Sequence, residues 1–341
     1  MRRRARTTLV DVARLAGVSA VTVSKVLNGK GHISPETQEK VQRAAALLGY
    51  VANTAARRLR GGATRILGMV VPELVSPYFA ELARAAADAA GRCGYDLGLF
   101  TTSRDPQRER ERIQSLLGGM ADGLLLVVPV GAGEFLSTLE QSQVPIVLIN
   151  YFGGATHLPV VRGENYEGTV ALLHHLLALG HRRIGFIGGA EHSGQAKERY
   201  RAYREVMRAA GLWDEALVQP GDFTRRKGLE GARALLGLPS PPTAIFAGSD
   251  LMAFGVMEAA QERGLQVPAD LSIAGFDDSP LASLIPPGLT TVAHPIGDIA
   301  EASVRLLLEA IEGNPVRDQL LEFPSRLVVR GSTAPPKTPL P

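Results

Sequence analysis

Between Thr8 and Leu27 the chain repeats an apolar stripe at helical spacing twice, with one glycine between the repeats. Thr8 is placed to cap a first helix, and Asp11, three residues on, completes a capping box with it. Val12, Leu15 and Ala16 are then expected on one face. Gly17 ends that helix, and Ser19 is placed to cap a second. In the second helix Val23, Val26 and Leu27 make the inward stripe, which leaves Ala20, Val21, Ser24, Lys25 and Asn28 on the opposite face. Ser34 and Pro35, as cap and first helical residue, start a third helix. Its inward residues are Val41, Ala44, Ala45 and Leu48, and Gly49 ends it. Two short helices joined by a tight glycine-containing turn make a helix-turn-helix, whose second helix enters a DNA major groove.

Charge separates this segment from the rest of the chain. Residues 1–60 hold twelve Lys and Arg against three Asp and Glu, a net of +9; the remainder holds 25 against 31, a net of −6. The whole-chain value of +3 conceals a basic head on an acidic body. That is the distribution of a phosphate-binding module joined to a separate domain. Arg2, Arg3, Arg4 and Arg6 have no apolar h-region after them, so they read as an arm attracted to phosphates rather than a secretory signal. No apolar run reaches the ~18 residues of a membrane span. The single cysteine, Cys93, excludes an intramolecular disulfide and fits a reducing, cytoplasmic compartment; it is expected as a packed small side chain.

From Arg65 the pattern changes. Apolar runs at Ile66–Val71, Tyr95–Phe100, Gly123–Val128, Ile146–Ile149, Val160–Val161, Ile184–Ile187, Ala244–Phe246, Leu271–Ala274 and Thr290–Val292 read as strands. Helical stretches separate them, among them Pro77–Cys93, Gly194–Ala210 and Asp250–Arg263, and a long one comes after them at Ile296–Gly313. Strand–helix–strand alternation means parallel sheets covered by helices. The strands are too many for one sheet, so two α/β lobes are expected. Doubly wound sheets bind ligands at the carboxyl ends of their strands. Ser76-Pro77-Tyr78-Phe79, Asn150, Arg199, Phe223, Ser249-Asp250 and Asp277 fall there. Aromatic rings can stack on a sugar or base, and an arginine and a carboxylate can bind hydroxyls directionally.

The run Leu-Val-Asp-Val-Ala-Arg-Leu-Ala-Gly-Val-Ser-x-x-Thr-Val-Ser-x-Val-Leu-Asn-Gly, with Ile-Ser-Pro-Glu-Thr and Leu-Gly-Tyr-x-x-Asn after it, closely resembles the lactose-repressor (LacI/GalR) family of bacterial transcription regulators. The likeness extends from about Thr8 to Ser332. It implies an all-α helix-turn-helix head plus an α/β two-lobed, periplasmic-binding-protein-like effector domain built on parallel doubly wound sheets. The expected division is a head at 1–52, a hinge helix and linker at 53–62, an effector and dimerisation domain at 63–332 and a disordered tail at 333–341. The N-lobe would comprise about 65–161 and 293–320, and the C-lobe about 162–291 and 322–331, with crossings near Arg162, Val292 and Leu321.

The resemblance also implies roles for particular residues. Ala20, Val21 and Lys25 match base-reading positions, and Thr8, Ser19, Thr22, Ser24 and Asn28 complete the DNA-binding set. The Asn53–Arg60 stretch matches a helix that orders on the operator. Asn53 caps it, Ala56 lets two such helices approach, and Leu59 wedges into the minor groove. Tyr78, Phe79, Asn150, Glu164, Arg199, Phe223, Ser249 and Asp277 match effector-contacting positions, although many relatives carry Asp where this chain has Asn150 and Glu164. Dimer contacts are expected from the first helix of each lobe, with Ala85–Ala90 permitting close approach.

Other classes fit less well. Gly185-Phe186-Ile187-Gly188-Gly189 lacks the spacing and the lysine of a nucleotide loop. His174 and His175 are adjacent, and adjacent helical residues do not face one metal. No metal, cofactor or enzymatic activity is expected. A transport-type sugar receptor would have no basic head. The expectation is a DNA-binding transcriptional regulator, with a repressor favoured by family habit. Its partners would be double-stranded operator DNA, a small sugar or nucleoside effector and a second copy of the chain, with no membrane. Leu59→Ala is expected to weaken specific operator binding several-fold in a competition assay while leaving salt-driven nonspecific binding nearly unchanged. Equal loss in both would refute the wedge.

Overall fold

The computed structural model describes residues 7–27, 32–50, 63–129 and 132–337. They fall into two compact units, divided in sequence between Thr64 and Arg65.

Among its described residues the first unit has three helices: α1 (Leu9–Ala16), α2 (Ala20–Leu27) and α3 (Pro35–Leu47). The capping box on α1 is formed in both directions, with the Thr8 hydroxyl accepting from the Asp11 amide and the Asp11 carboxylate accepting from the Thr8 amide. Gly17 ends α1 at φ 67°, a left-handed conformation that suits glycine. The Ser19 hydroxyl accepts from the Thr22 amide, and the Ser34 hydroxyl accepts from the Thr37 amide. Val12, Ala13, Val23, Val41, Ala44 and Ala45 form the core. Leu15, inward by its spacing, is 52% exposed. The buried face of α1 is instead Leu9, Val12, Ala13 and Ala16, at i, i+3, i+4 and i+7, because α1 packs against both α2 and α3.

The second unit has two parallel sheets, as expected, and a two-stranded antiparallel one. The larger has six strands in the order β11-β5-β4-β3-β1-β2, all parallel. These are β1 (Ile66–Val71), β2 (Asp96–Thr101), β3 (Gly123–Val127), β4 (Ile146–Ile149), β5 (Val160–Gly163) and β11 (Leu320–Phe323). Helices α4 (Pro77–Arg92) and α12 (Ile296–Ile311) cover one face. Helices α5 (Pro106–Ser115) and α6 (Ala132–Glu140), with a π-turn at Leu116–Met120 after α5, cover the other. The smaller sheet is β7-β6-β8-β9, also parallel, from β6 (Ile184–Ile187), β7 (Val218–Gln219), β8 (Ala244–Ala247) and β9 (Ser272–Ala274). Helices α7 (Tyr166–Ala178) and α8 (Gly194–Ala209) pack on one face. Helices α9 (Arg225–Leu236) and α10 (Asp250–Glu262) pack on the other, with the short α11 (Pro280–Leu284) beside them. β10 (Thr291–Ala293) pairs antiparallel with β12 (Arg326–Val328).

Four details depart from expectation. The lobe crossings fall later, after Gly163, at His294 and after Phe323, because β11 pairs with β5 from Leu320–Val160 to Phe323–Gly163 and both strands must end together. β11 thus belongs to the first lobe. Ala86, Ala89 and Ala90 are buried against the chain's own lobe, where α4 packs on α12, rather than turned outward. Cys93 follows the last turn of α4 and is exposed, not packed. The expected disordered tail is docked as far as residue 337. The Ala334 carbonyl accepts from Ser272 Oγ, Thr333 Oγ1 bonds His175, and Lys337 pairs with Asp270.

Candidate functional site

On the head, the exposed side of α2 presents Val21, 65% accessible, and Lys25. Lys40 and Arg43 on α3 are paired with Glu36 and Glu39 one turn earlier. Arg14 and Lys25 have no ion pair among the described residues, so they carry the head's free positive charge there. Thr22 is tied to the Ser19 cap at the start of α2, where amides and hydroxyls suit a phosphate. Ser24 is half-buried, Thr8 is held in its capping box, and Ala20 is half-buried against the head core. Asn28, Asn53, Ala56 and Leu59 lie outside the described residues.

In the second unit the strand ends line a cleft. Six of the eight expected residues line it: Tyr78, Phe79, Arg199, Phe223, Ser249 and Asp277. Asn150 and Glu164 do not. Asn150 is spent inside the first lobe, where its Nδ2 donates to the Tyr78 hydroxyl and its Oδ1 accepts from the Gly163 amide at 3.1 Å. Glu164 caps α7, accepting from the Glu167 and Gly168 amides at 2.6 and 3.0 Å. Both side chains act locally at the lobe junction.

Arg199 is the centre of the cleft and is 3% exposed. It comes from the second turn of α8, which Ser193 caps by accepting from the Ala196 amide. Its Nε donates to Asn165 Oδ1 at 2.9 Å, and its Nη1 donates to the Gly248 carbonyl. The Phe276 ring lies 3.5 Å beneath the guanidinium, a cation–π contact in a desolvated place. Nη2 faces Asp277 Oδ1 at 3.7 Å, too far for a hydrogen bond. Phe223 closes another side; its φ is 69°, and a Cβ at Gly189 would lie 2.0 Å from its ring. Arg104, Val128 and Asp277 also have positive φ and line the same cleft. Such strain collects at ligand sites, held in place by the surrounding sheet.

Sequence reasoning missed Asn165, although a polar residue just beyond a strand end was the available signal. It picked out Asp250 only as part of a strand-end pair. The Asp250 carboxylate accepts from Thr291 Oγ1 at 2.6 Å and from the Ser279 amide at 2.7 Å. Burial pushes the Asp250 carboxyl up to about 7 and that of Asp277 up to about 8. Burial also lowers the Arg199 guanidinium, which nonetheless stays charged because its reference value is so high. One cation faces two carboxyl groups, so the pair retains a proton near neutrality. His294 is pushed down to about 3, also by burial, and is neutral.

A cationic helix-turn-helix head and two parallel-sheet lobes around an arginine-centred cleft define a DNA-binding regulator with a small-molecule receptor. Comparisons with known proteins agree. Residues 8–53 match the bacterial regulatory proteins of the lacI family, and residues 173–333 match the periplasmic binding protein-like domain. The chain is 36% identical over 329 residues to the ribose operon repressor of Halalkalibacterium halodurans, covering 96% of this chain and 97% of that one. It superposes on the lac repressor dimer bound to operator and the anti-inducer ONPF with a TM-score of 0.84 at 28% identity, covering 97% of this chain and all of that one. For the CelR–cellobiose complex the values are 0.72 and 32%, covering 96% and 100%. The chain belongs to the lacI family of bacterial regulatory proteins. It is a transcriptional regulator, not an enzyme, and no helix among the described residues is long and apolar enough to cross a membrane.

The two buried carboxyls give stability a predictable pH dependence. Folding raises their pKa values, so between the ordinary carboxylate range and about 8 the native state binds more protons than the unfolded chain. Stability therefore declines as pH rises through that window. In calorimetry at fixed ionic strength, the midpoint is expected to fall from about pH 5 to about pH 8, and Asp277→Asn should flatten the fall. Equal slopes in the two proteins would place the titration elsewhere.

Proposed function

We propose that the protein is a cytoplasmic, homodimeric repressor of a near-palindromic operator, controlled by a sugar or nucleoside bound in the cleft. The observation that carries the ligand class is the pair Arg199 and Asp277, 3.7 Å apart and not hydrogen-bonded to each other, in a cleft also lined by the rings of Tyr78, Phe79 and Phe223. A ligand hydroxyl set beside that pair accepts from the guanidinium and is held by the Asp277 carboxyl, and the ring behind it stacks on an aromatic face. Apolar ligands would leave both groups unpaired. Cellobiose in one solved relative supports the sugar reading.

In this mechanism the second helix of each head lies in a major groove. Lys25 donates to guanine or phosphate, and Val21 offers apolar contact to a thymine methyl. Thr8, Ser19, Thr22, Ser24 and Asn28 hold the backbone, with Ala20 against the groove wall. Asn53, Ala56 and Leu59 belong to the hinge at 53–62, between a head at 1–52 and a sensor at 63–332. Ligand binding changes the angle between the lobes, hence the spacing of the two hinge starts in the dimer, hence operator affinity. Coupling of about 1–3 kcal/mol suffices.

The test begins with a duplex selected from a random pool by the full-length protein. Its affinity is expected to fall with salt at a log–log slope of about −0.9 per neutralised phosphate, and a flat response would count against the head assignment. Ribose, cellobiose, adenosine and cytidine are then screened by thermal shift on the full chain, since a ligand of the folded state raises the midpoint. Arg199→Ala is expected to abolish both the shift and the ligand's effect on duplex binding while duplex binding itself persists. A retained ligand response would move the site.

A further inference from the structure

The loop after β4 touches the second lobe. Its Phe152 belongs to the first lobe, yet it lies directly on Gly194, the first residue of α8 in the second. A Cβ built at Gly194 would be 2.1 Å from Phe152 Cβ and 3.4 Å from its Cα. No side chain fits at residue 194 while the lobes keep this approach. Phe152 is itself held. The Arg162 guanidinium lies over its ring at 4.6 Å, and Arg162 Nε is fixed by Glu322 Oε1 at 2.6 Å, on the strand paired with β5. The helix beneath Phe152 carries Ser193 at its cap and Arg199 one turn and a half further on, both in the cleft.

We infer that Phe152, clamped by Arg162 and seated on Gly194, is an inter-lobe latch that positions the arginine-bearing helix in the closed cleft. Phe152 and Gly194 are positioning residues; neither lines the cavity. Glycine is required at 194 because the approach is backbone to side chain, with no room for a methyl. A larger residue there props the lobes apart and loosens the first turns of α8. The consequence for ligand affinity rests on the function proposed above; the latch itself does not.

Hydrogen–deuterium exchange on the full-length protein tests it, read at the amides of residues 196–200, with 299–307 in α12 as internal reference. Gly194→Ala is expected to speed exchange at 196–200 about tenfold and leave 299–307 unchanged. Phe152→Ala alone removes the latch without a clash and is expected to give about threefold. The double variant relieves the clash and should also return to about threefold, a non-additive cycle. Unchanged exchange in Gly194→Ala, or a double variant faster than the single one, overturns the latch. If Gly194→Ala does not fold, Phe152→Ala decides: no change at 196–200 overturns it. Loss of the operator or ligand reading leaves these exchange rates as stated, so the two failures are distinguishable.

Discussion

A guanidinium without water sets the terms of the sensor. Moving an ion out of solvent costs several kcal/mol even after relaxation, and the protein must offset that cost with fixed partners. Arg199 receives two from its own lobe, the Asn165 carboxamide and the Gly248 carbonyl, and a ring face from Phe276. All three hold its orientation, and none brings a negative charge. The nearest carboxylate stops short of a hydrogen bond. The result is a directed fork of donors with an acceptor facing it across a gap, and the remaining capacity of both is available only to something that enters the cleft. Rigidity of the fork also matters. A flexible lysine at the same place would spend rotamer entropy on every ligand it met, whereas the stacked planar group has already done so.

The rest of the unit is arranged around keeping that fork in place. Residues with positive φ occur where strands of both sheets end, at Val128, Asn150, Phe223 and Asp277. Each costs energy that only a well-packed sheet can carry. The β6–β8 pair beneath Arg199 is buried throughout, and Phe186 stacks on Tyr203 at 4.8 Å on its outer side, with the Tyr203 hydroxyl bonded to the Ile184 carbonyl at 2.7 Å. At the junction, Gly163, Glu164, His294 and Ser325 gather where the chain passes between lobes. Ser325 Oγ donates to the Glu164 carbonyl at 2.6 Å, and the neutral His294 packs edge-on against Tyr78 from one lobe and tilted against Phe276 from the other. Among the described residues His294 Nε2 has no hydrogen-bond partner, and a buried unpaired ring nitrogen is costly. The penalty sits where the chain passes between the lobes.

Local grammar made much of this legible. Thr8 with Asp11, Ser19, Ser34 with Pro35, and Gly17 act through neighbours within four residues, so their consequences can be read from spacing. The rule that ligands meet strands at their carboxyl ends likewise found Tyr78, Arg199, Phe223, Ser249 and Asp277, because strand ends follow from hydrophobic runs. What spacing cannot reveal is which polar side chain at a strand end has already been used. Asn150 and Glu164 sit as well placed in sequence as Asp277, but one is consumed by a tyrosine 72 residues away and the other by the helix it starts. Asn165 is the converse, a polar residue just beyond a strand end that was passed over because its partner, Arg199, lies 34 residues on. Leu15 escapes the stripe because a helix touching two neighbours buries a different face from a helix touching one. β11 lay hidden because its burial alternates, unlike the continuous apolar runs of the central strands.

The two units differ in charge as sharply as in fold. The basic residues of the head face a polyanion, and the body as a whole carries the same sign as that polyanion. Many body arginines are matched by carboxylates at ion-pair distance, as at Arg84, Arg183, Arg225, Arg233 and Arg330, so the body adds little long-range attraction of its own. The net positive charge available to a polyanion therefore lies in residues 1–60. This matters for regulation, because a ligand can change affinity only through whatever differs between its two states. Had the sensor also held phosphates, a change in lobe angle would trade one set of contacts for another and the net effect would shrink. Under the function proposed above, with the attraction confined to the head, any displacement of the segment joining it to the sensor acts on the whole of that attraction.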